Sequence, residues 1–149
     1  MTRIGIPKEI LMEEKRVAAT PETVKKYVKM GFTVTIQAAA GDGIYVSDDD
    51  YRKAGATVVP SAEELFSISD VILKVKQPVF NANAQKHEAE MLREGSILIT
   101  FLHPAAPANH PLVLMLQERN ITSFTMDGIP RISRAQRMDA LTSMSTVTG

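Results

Sequence analysis

Asp70-Val-Ile-Leu-Lys-Val-Lys76 is the stretch that decides the fold, because it is an apolar run of strand length without clean polar alternation. Runs of this composition, rich in Val, Ile, Phe and Thr, indicate strands that are buried on both faces. Similar runs occupy residues 3–6, 32–37, 57–59, 96–102 and 121–126. The sequence therefore predicts a sheet whose strands are mostly parallel.

Signals for helices separate these runs. Thr20-Pro21-Glu22 supplies an N-cap, a proline at the first helical position and an acid in the first turn, and Gly31 closes that helix. Further signals are Ser47-Asp-Asp-Asp50 with Gly55, a Ser61–Glu64 capping box, a charged segment at residues 85–94 that stops at Gly95, and a segment from Pro111 to about Arg119. The alternation predicts an α/β fold with helices on both faces of the sheet, Rossmann-like or flavodoxin-like.

The overall composition excludes several classes of function. Lys plus Arg and Asp plus Glu each number 17 among 149 residues, and the zero net charge argues against a nucleic-acid-binding protein. The absence of cysteine excludes disulfides and thiolate metal sites, and no His/Asp/Glu cluster has convincing metal spacing. No apolar run approaches the roughly 20 residues of a membrane helix, so we expect a soluble, cytoplasmic protein.

Three kinds of polar side chain fall near the carboxyl ends of predicted strands, where α/β folds place ligands. Arg16 offers a guanidinium fork for a carboxylate or phosphate, although a solvated charge run is the simpler interpretation. Lys74 and Lys76 alternate on one face of their strand, so at least one of them should reach a site or a carboxylate, unless the strand is an edge strand. His103 can polarise a carbonyl or move a proton, although a lone histidine more often has a hydrogen-bonded structural role.

Gly41 and Gly43 invite interpretation as a dinucleotide-binding loop, but the sequence argues against it. Val46 stands where the third glycine of that motif is needed, and three aspartates beginning at Asp48 would repel a pyrophosphate. We therefore predict a plain turn here.

A polar segment, Pro130-Arg-Ile-Ser-Arg-Ala-Gln-Arg-Met-Asp139, follows the last predicted strand. The Gln136 carboxamide both donates and accepts hydrogen bonds, which suits another amide such as nicotinamide, and Asp139 lies on the same face if a helix opens at Gln136. The alternative is a capped, charged helix start. Because no strand follows, we predict a first domain at residues 1–134 and, at 135–149, the start of an interdomain helix leading to a missing second domain.

Several motifs resemble the N-terminal domain shared by alanine dehydrogenases and the alpha subunits of proton-translocating NAD(P) transhydrogenases. They are Gly5-Ile-Pro-Lys-Glu9, Arg16-Val-Ala-Ala-Thr-Pro21, Ala54-Gly-Ala56 and Ile72-Leu-Lys-Val-Lys76. The segment from Met126 and Asp127 through Pro130–Gln136 to Met138-Asp-Ala-Leu141 resembles the transhydrogenase branch specifically.

The resemblance implies roles for individual residues. In the transhydrogenase branch, Arg131, Gln136 and Asp139 would face the nicotinamide end of NAD(H), with Ile132 and Ser133 adding backbone or hydroxyl contacts. In the alanine dehydrogenase branch, the residues that handle pyruvate would be Arg16, Lys76 and His103. Transhydrogenases commonly lack this histidine and this second lysine, so the chain joins a transhydrogenase-type loop to dehydrogenase-like groups.

The function implied for the parent protein is hydride transfer between NAD(H) and NADP(H) coupled to proton movement, and we expect this chain alone to be inactive. The implied partners are a Rossmann domain of the same protein, NADP-binding and membrane components, and a second copy in a homodimer, placing the chain on the cytoplasmic side of the inner membrane. The alternatives are an alanine dehydrogenase-like oxidoreductase acting on a 2-oxo acid and a non-catalytic docking or assembly domain.

Overall fold

The computed structural model describes residues 2–101 and 109–125. The strands are β1 (Arg3–Ile6), β2 (Thr33–Gln37), β3 (Thr57–Val59), β4 (Val71–Lys76), β5 (Phe80–Asn81), β6 (Lys86–His87), β7 (Ile97–Phe101) and β8 (Thr122–Thr125). The α-helices are α1 (Pro21–Lys29), α2 (Asp48–Lys53), α3 (Ala62–Ile68), α4 (Glu88–Met91) and α5 (His110–Glu118). All six predicted strands are therefore present. Two of them were predicted to extend to Leu102 and Met126, which lie outside the described residues.

Six of the strands form one parallel sheet in the order β3-β2-β1-β4-β7-β8. The chain builds outward from β1 in one direction and then returns to build outward from β4 in the other. This reversal makes the β1/β4 boundary the topological switch point of the sheet, where α/β proteins form their ligand crevice at the carboxyl ends of the strands. The predicted parallel α/β architecture is confirmed.

Helices cover both faces of the sheet, as the buried runs predict. On β4, Ile72 packs with Leu65, Phe66 and Leu92 from the α3 and α4 side. Its neighbours Val71 and Leu73 pack instead against the cluster formed with α1 and α2. Successive side chains of a strand point to opposite faces, so the two apolar clusters lie on opposite sides of the sheet.

The predicted caps of the first two helices are found in place. Thr20 caps α1, whose first residue is Pro21, and Gly31 follows the helix with a φ of 96°. Ser47 and Asp50 form a reciprocal capping box at α2. Ser61 accepts a hydrogen bond from the Glu64 backbone N–H, which is the serine half of the box predicted at α3.

The prediction of a charged helix over residues 85–94 is wrong. The second strand of a hairpin, β6, which pairs with the preceding β5, occupies the beginning of this segment, and α4 is only one turn long. The Asn81 side chain accepts a hydrogen bond from the Ala84 backbone, and Gln85 adopts a left-handed φ of 56°, so the chain turns where a helix would need to begin. Leu92 then leaves the helix with extended ψ and is fully buried.

The long connection between β1 and α1 is tied to the helical layer by Tyr51. This α2 side chain is fully buried, and its hydroxyl donates a 2.7 Å hydrogen bond to the Ala19 carbonyl oxygen. The bond fixes the connection close to the point where it enters α1.

Replacing Tyr51 with phenylalanine should lower the free energy of unfolding by about 1–2 kcal/mol, because the Ala19 carbonyl loses its buried donor while the ring still fills its site. Tyr45→Phe is the matched control, since Tyr45 is 97% exposed and its loss should change stability by less than about 0.5 kcal/mol. Urea denaturation of both variants measures the difference, and equal stabilities would contradict the assigned role of the hydroxyl.

Candidate functional site

A cluster of charged side chains occupies the switch point. The connection that leaves β1 supplies Glu9, Glu14 and Arg16, and β4 supplies Lys74 and Lys76. Because β1 and β4 are neighbouring parallel strands, both segments emerge at the same edge of the sheet. The candidate site is therefore built mainly from two stretches of chain that are distant in sequence.

The centre of the cluster is the Lys74 ammonium, which lies between two carboxylates. Lys74 Nζ is 3.2 Å from Glu9 Oε1 and 3.4 Å from Glu88 Oε2. The three side chains are 1%, 2% and 1% exposed for Lys74, Glu9 and Glu88. Charges that are buried to this degree are retained in proteins when they are paired and hydrogen-bonded, which is the case here.

Glu9 also binds the backbone of β4. Its Oε2 accepts from the Val75 N–H at 3.0 Å, and its Oε1 accepts from the Lys76 N–H at 3.1 Å. These residues lie at an irregularity in the sheet, since Leu73 pairs with Ile99 whereas Lys76 pairs with Phe101. Two residues of β4 thus stand opposite one residue of β7, as in a β-bulge. The Glu9 carboxylate accepts hydrogen bonds from the backbone N–H groups of Val75 and Lys76, where the ladder is interrupted.

Glu88 holds the next segment of the chain. Its Oε1 accepts from the Val79 N–H at 3.0 Å, while its Oε2 faces Lys74 without meeting hydrogen-bond geometry. Burial raises the pKa of the Glu88 carboxyl above its ordinary value of 4.5, and the nearby Glu9 carboxylate adds to this, whereas Lys74 and the Val79 N–H oppose it. The upward direction follows from two carboxylates sharing one ammonium in a dry environment.

Arg16 is held by Glu14 in a bidentate pair. Arg16 Nη2 is 2.8 Å from Glu14 Oε2, and both Nε and the backbone N–H of Arg16 donate to Oε1 at 2.9 Å. The Arg16 guanidinium lowers the pKa of the Glu14 carboxyl, with a smaller contribution from Lys76, and Glu14 and Glu9 raise the pKa of Arg16. These mutual effects place Arg16 and Lys76 in one electrostatic neighbourhood.

The connection that carries Arg16 passes directly over the glycine turn after β2. A Cβ atom at Gly43 would collide with the Lys15 carbonyl oxygen, so this approach of two backbones requires glycine. The segment Asp42–Ile44 forms a short 3-10 turn. The sequence-based interpretation of Gly41 and Gly43 as a turn is therefore confirmed, with close packing against Lys15 as the physical reason.

A cleft of about 620 Å³ lies beside the charged cluster, toward β2 and β3. Its walls include Lys8, Glu9, Gln37, Pro60 and Asn81. Arg16 and Lys76 do not line this cleft. We place the candidate site at the charged cluster, because convergent cations at a switch point are a more specific feature than a polar concavity.

The structure brings some of the predicted residues together and leaves others undescribed. Arg16 and Lys76 both act on the Glu14 carboxylate, and the expectation that Lys74 or Lys76 reaches a carboxylate is confirmed by Lys74. β4 lies inside the sheet, so the edge-strand alternative is wrong. The predicted site residues that lie outside the described residues are His103, Arg131, Ile132, Ser133, Gln136 and Asp139.

Three carboxylates of the site were not identified from the sequence. No role for Glu9, Glu14 or Glu88 was predicted from the sequence. One feature of the sequence indicates that such carboxylates exist, because a lysine within a buried strand needs a carboxylate partner. The sequence alone did not indicate which acids the fold brings to Lys74.

Two absences concern only the residues that the structure describes. No group of three or more His, Asp or Glu side chains within residues 2–101 and 109–125 is arranged to hold a metal ion. Over the same ranges, no helix has both the length and the apolar character needed to cross a bilayer.

Comparison with known proteins gives the family. The profile described as "Alanine dehydrogenase/PNT, N-terminal domain" matches residues 5–148, which is nearly the whole chain. The chain belongs to this family. The resemblance of its motifs to the alanine dehydrogenase/PNT N-terminal domain is thereby confirmed.

Individual relatives include both branches of the alanine dehydrogenase/PNT family. The chain is 42% identical over 147 residues to "NAD(P) transhydrogenase subunit alpha" of Cereibacter sphaeroides, covering 99% of this chain and 27% of the relative. It is 37% identical over 146 residues to an alanine dehydrogenase of Methanococcus maripaludis, covering 98% of this chain and 36% of the relative. The chain thus spans well under half the length of these relatives.

A solved structure agrees with this assignment at the level of the fold. The transhydrogenase from Sinorhizobium meliloti superimposes with a TM-score of 0.82 at 37% identity, and the match covers 96% of this chain and 40% of that one. The relatives of this domain are therefore oxidoreductases, and the fold of the N-terminal domain is shared with them.

Glu88→Gln should change how stability depends on pH. A carboxyl whose pKa is raised by folding stabilises the folded state at low pH and loses that contribution as pH rises from 4.5 through the folded-state pKa. A glutamine side chain cannot ionise, so the stability of the variant relative to the wild type should increase across this rise in pH. Denaturation at a series of pH values from about 4 to 8 measures the difference; a constant difference would contradict the assignment.

Proposed function

We propose that this chain is the N-terminal domain of the NAD(H)-binding component of a proton-translocating NAD(P) transhydrogenase. The observation that carries the proposal is the segment Pro130–Leu141, which has the transhydrogenase-type arrangement of Arg131, Gln136 and Asp139. The 42% identity to the C. sphaeroides alpha subunit supports it, since the compared alanine dehydrogenase is 37% identical.

The segments that follow β1 and β2 bear on which end of NAD(H) the chain contacts. The connection after β1 begins Pro7-Lys8-Glu9, and the glycine turn after β2 leads into three aspartates at the start of α2. Neither segment suits a pyrophosphate, because such a site needs glycine-rich backbone and no nearby carboxylates. We infer that this chain contacts the nicotinamide end and that the additional length seen in the relatives binds the rest of the dinucleotide.

The proposed transfer makes modest demands on protein chemistry. Bound NADH supplies a hydride from C4 of its dihydronicotinamide ring, and C4 of the NADP⁺ nicotinamide accepts it, so no proton is exchanged in this step. The residues of this chain need only hold the ring in a near-attack geometry and exclude water. In this proposal Gln136 orients the carboxamide, Arg131 places positive charge near the dinucleotide, and Asp139 fixes one of these side chains, with Ile132 and Ser133 in supporting contacts.

The partners follow from the same proposal. A following domain of the parent protein would complete the NAD(H) site, and an NADP(H)-binding component would face it. Membrane components would couple the transfer to proton movement, so the chain would lie at the cytoplasmic face of the inner membrane. A second copy in a homodimer completes the proposed assembly.

One observation favours a second candidate function, an alanine dehydrogenase-like oxidation and reduction of a 2-oxo acid. Arg16 and Lys76 lie in one electrostatic neighbourhood at the switch point. A guanidinium and an ammonium so placed can bind a carboxylate and polarise an adjacent carbonyl. Glu14 occupies the Arg16 fork, so an incoming carboxylate would bind beside Glu14 or displace it. In this candidate His103 would donate or accept the proton.

Gln136→Ala in the full-length protein should lower hydride transfer between NADH and an NADP⁺ analogue at least about tenfold, because a positioned amide partner of the nicotinamide is lost. Arg137→Ala is the matched control, since it alters the adjacent residue, to which we assign no contact, and should leave the rate within about twofold. Stopped-flow absorbance measures the rates. An unchanged rate in Gln136→Ala would overturn the proposal.

Pyruvate- and ammonia-dependent oxidation of NADH by the full-length protein distinguishes the two candidates. The transhydrogenase proposal predicts negligible turnover. If turnover is robust, the second candidate replaces it, and Arg16→Lys should then raise the KM for pyruvate at least about tenfold, because an ammonium cannot reproduce the bidentate fork.

A further inference from the structure

The segment Lys76-Gln-Pro-Val79, which leaves the carboxyl end of β4, is held at both ends by buried carboxylates. Glu9 accepts from the Lys76 N–H at 3.1 Å, and Glu88 accepts from the Val79 N–H at 3.0 Å. Both carboxylates face the same ammonium, Lys74 Nζ, at 3.2 and 3.4 Å. One buried cation therefore organises the two anions that fix this segment.

The backbone of Lys76 is held on its other side as well. Its carbonyl oxygen accepts a 2.9 Å hydrogen bond from the Thr100 hydroxyl on β7. The N–H and C=O of one residue are thus both bound by side chains from neighbouring segments. The β-bulge interrupts the ladder immediately before Lys76, which pairs with Phe101, so these side-chain bonds fix the position of Lys76 together with the strand pairing that resumes there.

We infer that Glu9 is a positioning residue, whose carboxylate fixes the Lys76 backbone at the β-bulge and thereby sets where the Lys76 ammonium stands relative to the Arg16–Glu14 pair. Lys76 itself is half-buried and acts on the Glu14 carboxylate, so its side chain starts from a fixed backbone close to the Arg16–Glu14 pair. The inference goes beyond the proposed function and holds for either candidate reaction, since it concerns the geometry of the site.

Glu9 and Glu88 differ in a way that makes the inference testable. Glu9 uses both oxygens as acceptors for three donors, from Lys74, Val75 and Lys76. Glutamine at this position has a single acceptor oxygen, and its NH₂ group would face a backbone N–H. Glu88 accepts from the Val79 N–H through one oxygen only, so glutamine can keep that bond. Both substitutions replace a carboxyl group of the same cluster with a carboxamide, but only Glu9→Gln removes the hold on the Lys76 backbone.

The test is amide hydrogen exchange on full-length protein carrying Glu9→Gln or Glu88→Gln. Exchange of the Lys76 amide should accelerate at least about tenfold in Glu9→Gln and less than about threefold in Glu88→Gln. Glu9→Asp is the second variant in case Glu9→Gln fails to fold. It keeps the charge but is one methylene shorter, and it should also accelerate Lys76 exchange.

A spectroscopic signature separates positioning from general loosening. The lysines are reductively methylated with ¹³C, and the methyl signal of Lys76 is assigned with Lys76→Arg. It should shift in Glu9→Gln and Glu9→Asp and stay in place in Glu88→Gln, while the signal of Lys86, on the hairpin, serves as the reference. Unchanged Lys76 exchange and an unchanged Lys76 signal in the Glu9 variants, or equal effects from Glu88→Gln, would overturn the inference without affecting the hydride-transfer proposal.

Discussion

The Lys74 ammonium, buried between Glu9 and Glu88, is the interaction on which the rest of the site depends. Two carboxylates and one ammonium carry an excess negative charge in a place that water does not reach. Such a group is tolerated only when its remaining oxygens are hydrogen-bonded, and here backbone N–H groups of Val75, Lys76 and Val79 provide those bonds. Burial, together with the nearby Glu9 carboxylate, raises the pKa of the Glu88 carboxyl, whereas Lys74 and the Val79 N–H oppose this rise.

The cluster supplies hydrogen-bond acceptors for backbone N–H groups of β4, a role that pairing between strands has elsewhere in the sheet. β1 pairs with β4 only at Ile4 and Gly5, so the carboxyl end of β4 extends past its neighbour. Glu9, on the connection that continues from β1, reaches across to the unpaired donors. The same connection then passes over the glycine turn at Gly43 and is fixed by the Tyr51 hydroxyl. Each of these backbone segments at the switch point is thus tied to another element.

Local sequence patterns predicted the elements because the relevant forces are local. Thr20 with Pro21, and buried runs such as β4, each carry their own signal of cap or burial. The prediction of a helix was wrong at residues 85–94, where charged, helix-favouring residues form one strand of a hairpin and a single turn of helix. There the Asn81 side chain fixes a turn, and Glu88 is buried against Lys74. The periodicity of the sequence reveals neither of these interactions. For the site, the cations Arg16 and Lys76 could be predicted, whereas most of the carboxylates that orient them could not, because their partners are distant in the chain.

Arg16 and Lys76 also have structural roles that do not depend on any substrate. Glu14 is only 6% exposed and has Arg16 as its bidentate partner, so removing the guanidinium would leave a nearly buried carboxylate without its counter-charge. Lys76 likewise lowers the pKa of Glu14, and its backbone is bound by Glu9. The presence of both cations in a chain whose sequence also carries a transhydrogenase-type segment therefore does not by itself require a 2-oxo acid substrate. Hydride transfer between two nicotinamides needs no proton donor, whereas reduction of a 2-oxo acid does, so the two reactions make different demands on one and the same scaffold. Under the two proposals the reactions would depend on different groups, His103 in one case and the set of Arg131, Gln136 and Asp139 in the other.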